Sequence, residues 1–277
     1  MTPDRGCASG FLAASLRSSN ASPVAHRLHG LTFCPSKASF TGMQKPSRPL
    51  FVFDFDGVLA DSIQEFEAAA GHVCRALGYR FMADGREAFL RLFDDNFYKG
   101  LLDAGVPAER LDVMLERMRR QLSETVGRVK SFAGIKETLL ELRRSGCRVC
   151  IVTSNLADVA RDILAREGID GITDISGAEQ GLGKVERIKK LRERYRHTVA
   201  YYVGDTAGDM LEGRLAGAIP VAVTWGWHDR ERLLARNPDH VVERPSDLLR
   251  LVAEDAGGYS RDFGNEDSGG AATLSAP

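Results

Sequence analysis

Phe51-Val52-Phe53-Asp54-Phe55-Asp56-Gly57-Val58-Leu59 is an apolar strand that ends in two carboxylates one residue apart, with a glycine directly after them. An ionised carboxylate in an apolar strand loses its hydration, which is costly without a partner. Two aspartates at this spacing point to the same side and raise each other's pKa. Such a pair points to a cation or a reaction at the strand's end. Three later segments supply what a site there would need. They are Thr153-Ser154-Asn155 after a second strand, Lys184, and Gly204-Asp205-Thr206-Ala207-Gly208-Asp209 after a third.

Outward from that strand the chain alternates. Strand 51–55 is followed by a long helical stretch, then helix 134–145, strand 148–152, helix 157–167 and helix 184–194. Strand 199–203, helix 208–216, strand 220–224, helix 229–236 and a short strand near 240–242 complete the pattern. The strands are rich in Val and Ile, and the helices carry apolar residues at helical spacing. This predicts an α/β fold: a Rossmann-like parallel sheet with helices on both faces. Ligands of such sheets bind outside the carboxyl ends of the strands, where Asp54, Asp56, Thr153, Asp205 and Asp209 all fall. Residues 62–131 contain no convincing strand but hold amphipathic runs such as Leu111, Met114, Leu115, Met118 and Leu122. They predict an inserted α-helical cap domain over 62–131, with the core formed by 49–61 and 132–254.

The ends differ from this body. Residues 1–48 are Ser-, Ala-, Arg- and His-rich, and Asp4 is their only acidic residue. They read as an extension outside the fold. It is a disordered tail, a transit-like peptide, or sequence upstream of a true start at Met43. Residues 255–277 lack periodicity and read as a disordered tail.

The 277 residues are 43% hydrophobic, enough for one core and a satellite. Lys+Arg 37 against Asp+Glu 38 is near balance, which favours neither a nucleic-acid nor a membrane partner. No apolar run approaches the roughly 20 residues of a membrane span. The five cysteines are scattered, and a cytoplasmic, reducing setting suits them. Cys147 and Cys150 are spaced to point to opposite faces of a strand, as buried thiols rather than ligands. Oligomeric state is not legible.

Together these motifs resemble the haloacid dehalogenase-like hydrolase superfamily, in its branch with a helical cap after the first motif. The family's first signature stands as Asp54-Phe55-Asp56-Gly57-Val58-Leu59-Ala60-Asp61-Ser62, the second as Ile151-Val152-Thr153-Ser154-Asn155, the third as Lys184, and the fourth as Gly204-Asp205-Thr206-Ala207-Gly208-Asp209. Each alone is weak; four in order at strand ends or helix starts are specific. The likeness covers about residues 50–252. Val58 replaces a common Thr, and 130–134 lacks a frequent proline; neither touches the chemistry.

The resemblance implies a phosphatase similar to phosphoglycolate phosphatase, acting on a small phosphorylated metabolite. Asp54 would be the nucleophile that forms an aspartyl-phosphate, and Asp56 the general acid, its pKa pushed up by nearby carboxylates. Mg²⁺ would sit on Asp54, the backbone carbonyl of Asp56 and Asp205, with Asp209 reaching it through water. Lys184 would neutralise charge between Asp54 and the phosphate, and Thr153, Ser154 and Asn155 would hold the phosphate oxygens. An aspartate at position 56 favours phosphatase or phosphomutase over dehalogenase or ATPase relatives. The alternatives are a phosphomutase of the β-phosphoglucomutase type, a catalytically silent phosphate-binding protein, and a pyrophosphatase.

Simpler roles compete at single positions. Asp205 could cap a helix, Thr153 could be an ordinary strand residue, and another lysine near Lys184 could bind phosphate. Ser62 is expected to cap the first cap helix, Trp225 and Trp227 to pack, Arg86 and Lys99 to be solvated, and His72 to be a satisfied structural histidine.

Overall fold

The computed structural model describes residues 48–80, 85–195 and 199–257. Apart from Arg48 and residues 255–257, the expected N-terminal extension and C-terminal tail lie outside them.

The predicted parallel sheet is present. Its six strands run in the order β5 (Asp174–Ser176), β4 (Arg148–Val152), β1 (Leu50–Phe53), β6 (Ala200–Gly204), β7 (Ile219–Val223) and β8 (His240–Val242). Every pairing is parallel. The chain builds outward from β1 to β5 and then returns to the other side of β1 to start β6. The carboxyl end of β1 is therefore the switch point at which such sheets bind ligands.

Alternate residues of the central strands β4, β1 and β6 are buried on opposite faces, which is why these strands read as near-continuous apolar runs. Leu50, Val52, Cys150, Val152 and Tyr202 pack on Ile188 and Leu191 of α7 (Lys184–Arg194). Phe51, Phe53, Val149, Ile151 and Val203 face Leu139 and Leu142 of α5 (Ile135–Arg144), Ile163 of α6 (Ala157–Arg166), and Leu248 and Leu251 of α10 (Leu248–Gly257). Each fully buried large apolar side chain of this kind contributes about 1.5–3 kcal/mol. Cys147 belongs to the second layer and Cys150 to the first, so the two thiols do point apart.

Two elements escape the sequence pattern. β5 is only three residues long and opens on Asp174, and α10 carries the helix to Gly257, beyond the expected core boundary at 254.

Between β1 and α5 lies the helical insertion: α1 (Ile63–Leu77), α2 (Arg86–Arg91), α3 (Phe97–Asp103) and α4 (Ala108–Thr125). Its helices surround a hydrophobic cluster of their own, including Phe66, Val73, Phe89, Leu101, Met114 and Met118. The chain enters and leaves through a short antiparallel pair, β2 (Ala60–Asp61) with β3 (Lys130–Ser131). The expectation of no strand over 62–131 is thus corrected at its last two residues. A two-residue strand buries too little apolar surface to leave a period in the sequence. One core residue, Trp227, belongs to the insertion's cluster, its ring tilted against Phe66 and Phe89 and edge-on to Phe93.

Candidate active site

The first motif ends β1 in a tight turn. Asp54 N–H still donates to Val203 in the neighbouring strand, and Gly57 N–H closes the turn on Ala60. Gly57 has φ +83, and a Cβ there would fall 2.0 Å from Asp205 Oδ2. Glycine is needed for the backbone angle and for the approach of that carboxylate.

Asp54 is buried, and its Oδ2 accepts a 2.7 Å hydrogen bond from Lys184 Nζ. Its Oδ1 accepts from the N–H of Phe55 at 2.7 Å. Lys184, the first residue of α7, also donates to Asp209 Oδ1 at 2.9 Å and lies 3.9 Å from Glu212 Oε2. Lys184 is in contact with Asp54, whereas Lys189 pairs with Glu186 at the surface.

Asp209 is locked by its surroundings. Tyr202 OH donates to its Oδ1, and the N–H and hydroxyl of Thr206 donate to its Oδ2. Thr206 is the N-cap of α8 (Ala207–Leu215) in a reciprocal capping box with Asp209. Asp205 is therefore not the cap. Its Oδ2 accepts from the Trp227 backbone N–H at 2.7 Å, while its Oδ1 is buried with no hydrogen-bond partner.

One carboxylate oxygen from each of Asp54, Asp205 and Asp209 lies within 4.8 Å of the others. With Glu212 this makes four buried carboxylates, three of which (Asp54, Asp209 and Glu212) pair with Lys184. The electrostatics follow. Burial pushes Asp54 up to about 8, despite the opposing pull of Lys184. Burial and the charges of Asp209 and Asp54 also push Asp205 well up. Asp209 is held below the usual range: although burial raises it, Lys184, Thr206 and Tyr202 together outweigh that effect. Lys184 is held charged by Asp209 and Asp54 against the cost of its burial. All donors are oxygens and one is orphaned, which fits a hard divalent cation such as Mg²⁺.

Asp56 lines the same cavity as Asp54 but has a different set of partners. Its Oδ1 accepts a 2.8 Å hydrogen bond from Ser62 Oγ, and Thr153 Oγ1 stands 3.5 Å from its Oδ2. Its pKa is raised to about 6. The cause corrects the expectation: burial lifts it, not neighbouring carboxylates, and the Ser62 bond moderates the rise. Ser62 does occupy the N-cap position of α1, but its side chain makes no cap bond and is committed to Asp56 instead.

Thr153 and Asn155 are buried at the end of β4. The Asn155 N–H donates to Thr153 Oγ1 at 2.9 Å, which orients the hydroxyl. Below them the buried Arg187 donates to the carbonyls of Thr153 and Ser176 at 2.7 and 2.8 Å, tying β4 to β5. Ser154 is exposed and lines the cavity above Asp54 and Asp56 together with Lys184, Asn96, Phe66, Phe93 and Trp227.

The insertion also lines this cavity and bonds to the core beside it. Asn96 Nδ2 donates to Glu212 Oε1 at 2.9 Å, and the Gly208 N–H donates to Phe93 O at 3.0 Å. His228 Nδ1 accepts from the Ala207 N–H, so its other nitrogen is the donor to Leu90 O at 3.0 Å. Trp225 donates to Val58 O, and Trp227 packs as expected. Arg86 and Lys99 make exposed pairs with Glu67 and Asp103, also as expected. His72 is exposed on α1.

Sequence reasoning did not find Tyr202, Glu212, Asn96, His228 or Arg187. Glu212 follows Asp209 by one helical turn, a spacing that could have revealed it.

Comparison with known proteins supplies the family. The family model described as haloacid dehalogenase-like hydrolase matches residues 51–223. A phosphoglycolate phosphatase of Synechococcus elongatus is 32% identical over 206 residues, covering 73% of this chain and 96% of its own. A pyrophosphatase of Bacillus velezensis is 28% identical over 212 residues, covering 73% and 94%. The solved structure of a hydrolase from Pseudomonas syringae superposes with a TM-score of 0.63 over 75% of this chain and 99% of its own, at 23% identity; that likeness shows the fold alone. A site of four ordered motifs at the switch point of a parallel sheet, matched over most of the body, places the chain in the haloacid dehalogenase-like hydrolase family, on its phosphoglycolate phosphatase-like branch.

Proposed function

We propose that this phosphatase hydrolyses a small phosphomonoester through an aspartyl-phosphate on Asp54. The observation that carries the reading is the Asp54–Lys184–Asp209 chain beside the orphaned Asp205 oxygen. With its pKa at about 8, Asp54 needs added positive charge to be ionised for attack at neutral pH. Asp54, Asp205 and the backbone carbonyl of Asp56 would hold Mg²⁺, with Asp209 beside them. When bound, the ion supplies that charge and offsets the repulsion between nucleophile and phosphate.

The protein's own groups do the rest. Asp54 attacks phosphorus as the bond to the leaving oxygen breaks. Asp56, with its pKa at about 6, gives that oxygen its proton. As a carboxylate it then takes a proton from water. The water oxygen bonds to phosphorus, and the Asp54–phosphorus bond breaks to release phosphate. Lys184 balances charge on Asp54, and Thr153, Ser154 and Asn155 bind the phosphate oxygens.

The insertion acts as the cap domain over 62–131, hinged at the β2–β3 pair. The cavity beneath it is about 40 Å³. Since a water needs about 10–15 Å³, only a small leaving group fits without opening. None of the described helices is long and apolar enough to cross a membrane, and the buried thiols suit a reducing cytoplasm.

The test is phosphate release from 2-phosphoglycolate, inorganic pyrophosphate and hexose phosphates, with and without Mg²⁺. Metal-dependent release from a small ester supports the reading. Turnover only when a sugar bisphosphate primes the enzyme would replace hydrolysis with mutase chemistry. Phosphate binding without turnover would leave a silent binder.

A further inference from the structure

A second chamber of about 40 Å³ adjoins the first and shares Phe66, Phe93, Phe97, Tyr98 and Ser154 with it. Its far wall is α4, which contributes Leu115, Met118 and Leu122. These lie on the helix's apolar stripe at i, i+3 and i+7. Arg119, at i+4, stands on the edge of that stripe, where an apolar residue would continue the wall. It lines the chamber.

Among the described residues lining the two chambers, the cations are Lys184 and Arg119. Lys184 is engaged by Asp54 and Asp209. Among the described residues, the ion-pair partner of Arg119 is Glu116, one turn back at 3.6 Å, with Glu116 63% exposed and Arg119 26%. A pair at this length with its carboxylate in solvent is weak and readily exchanged. The first chamber, by contrast, carries Asp95 and Glu212 on its wall, which repel an anion. Apolar surroundings would strengthen any ion pair formed in the second chamber.

Resting on the phosphomonoesterase reading above, we infer that Arg119 is a specificity-determining residue that reads a negative charge, such as a carboxylate, on the leaving group. The phosphate sits at Asp54, and the rest of the ester extends between the aromatic side chains toward α4. A neutral leaving group of the same size would leave the guanidinium without its partner.

The experiment compares kcat/KM for 2-phosphoglycolate and for ethyl phosphate, which has the same two carbons without the charge. The expected wild-type preference is for 2-phosphoglycolate. In Arg119→Met the ratio of the two falls by about tenfold or more, mainly through KM for the charged ester. Arg119→Lys, which keeps the charge, recovers part of it. An unchanged ratio in Arg119→Met would overturn the inference, as would proportional loss on both esters, the mark of a merely structural role. A wild-type enzyme that prefers ethyl phosphate would overturn it while leaving the hydrolase reading intact. A wild-type enzyme inactive on both esters, and on every other small ester, would overturn both.

Discussion

Ser62 Oγ donates a 2.8 Å hydrogen bond to Asp56 Oδ1, so the residue that opens the insertion's first helix also holds the carboxyl proposed as general acid. The bond favours the ionised form and keeps the Asp56 pKa from rising further. In Ser62→Ala that pKa goes up. A general acid must be protonated, so the alkaline limb of the kcat profile for phosphate release moves to higher pH. A limb that stays put, or moves down, would detach Ser62 from the acid. Helix α1 itself is expected to survive, because Ser62 makes no cap bond to lose.

The metal-free protein should lose stability as pH rises. Asp56 and Asp54 have folded-state values of about 6 and about 8 against an ordinary 3.8. Groups raised in this way contribute stability that is complete below 3.8 and is lost as pH climbs through the folded values. Thermal unfolding in a chelator should therefore show Tm falling between about pH 4 and 8. Mg²⁺ favours the ionised carboxylates and should raise Tm most at the alkaline end. A Tm insensitive to Mg²⁺ at pH 8 would count against a cation on Asp54, Asp205 and Asp209.

Lys184 is the charge partner of the buried carboxylates, and Lys189 is a surface residue. Removing one member of a buried ion pair typically costs about 3–5 kcal/mol. Lys184→Met should show a loss of this order in denaturant unfolding without metal, with part restored by Mg²⁺. Phosphate release should fall by about 10²-fold or more. Lys189→Met should be near wild type in both measurements. Equal effects from the two would mean that the pairing on Asp54 is not what matters.

Much of this site is legible in the sequence because its parts are local. Asp54 and Asp56 share one strand end, Thr153 and Asn155 one turn, and Asp205 and Asp209 one strand-to-helix turn. The sheet is legible too, since strands buried on both faces leave unbroken Val and Ile runs. What is hidden depends on distance or shortness. Asn96 meets Glu212 across 116 residues, and His228 meets Leu90 across 138, with no spacing to mark either pair. β5 and the β2–β3 pair are too short to show a period. The rise in Asp56 was legible, but not its cause, because desolvation depends on what the insertion covers.

Gly57 tests the packing that brings the first and fourth motifs together. Alanine there would adopt φ +83, a penalty of about 1–2 kcal/mol, and would place a Cβ 2.0 Å from Asp205 Oδ2. Gly57→Ala should unfold at lower denaturant and bind Mg²⁺ more weakly in calorimetric titration, because Asp205 must move. Wild-type Mg²⁺ affinity in a folded Gly57→Ala protein would remove Asp205 from the cation's ligands.

Capture of the phosphoryl group on Asp54 tests the central claim most directly. Wild-type protein is mixed with 2-phosphoglycolate and Mg²⁺, quenched in acid within a turnover, and mapped by peptide mass spectrometry. The expected result is one acid-stable, base-labile phosphoryl group on the peptide carrying Asp54, absent from Asp54→Asn, which also releases no phosphate. A phosphoryl group on any other residue, or undiminished phosphate release by Asp54→Asn, would contradict Asp54 as the nucleophile.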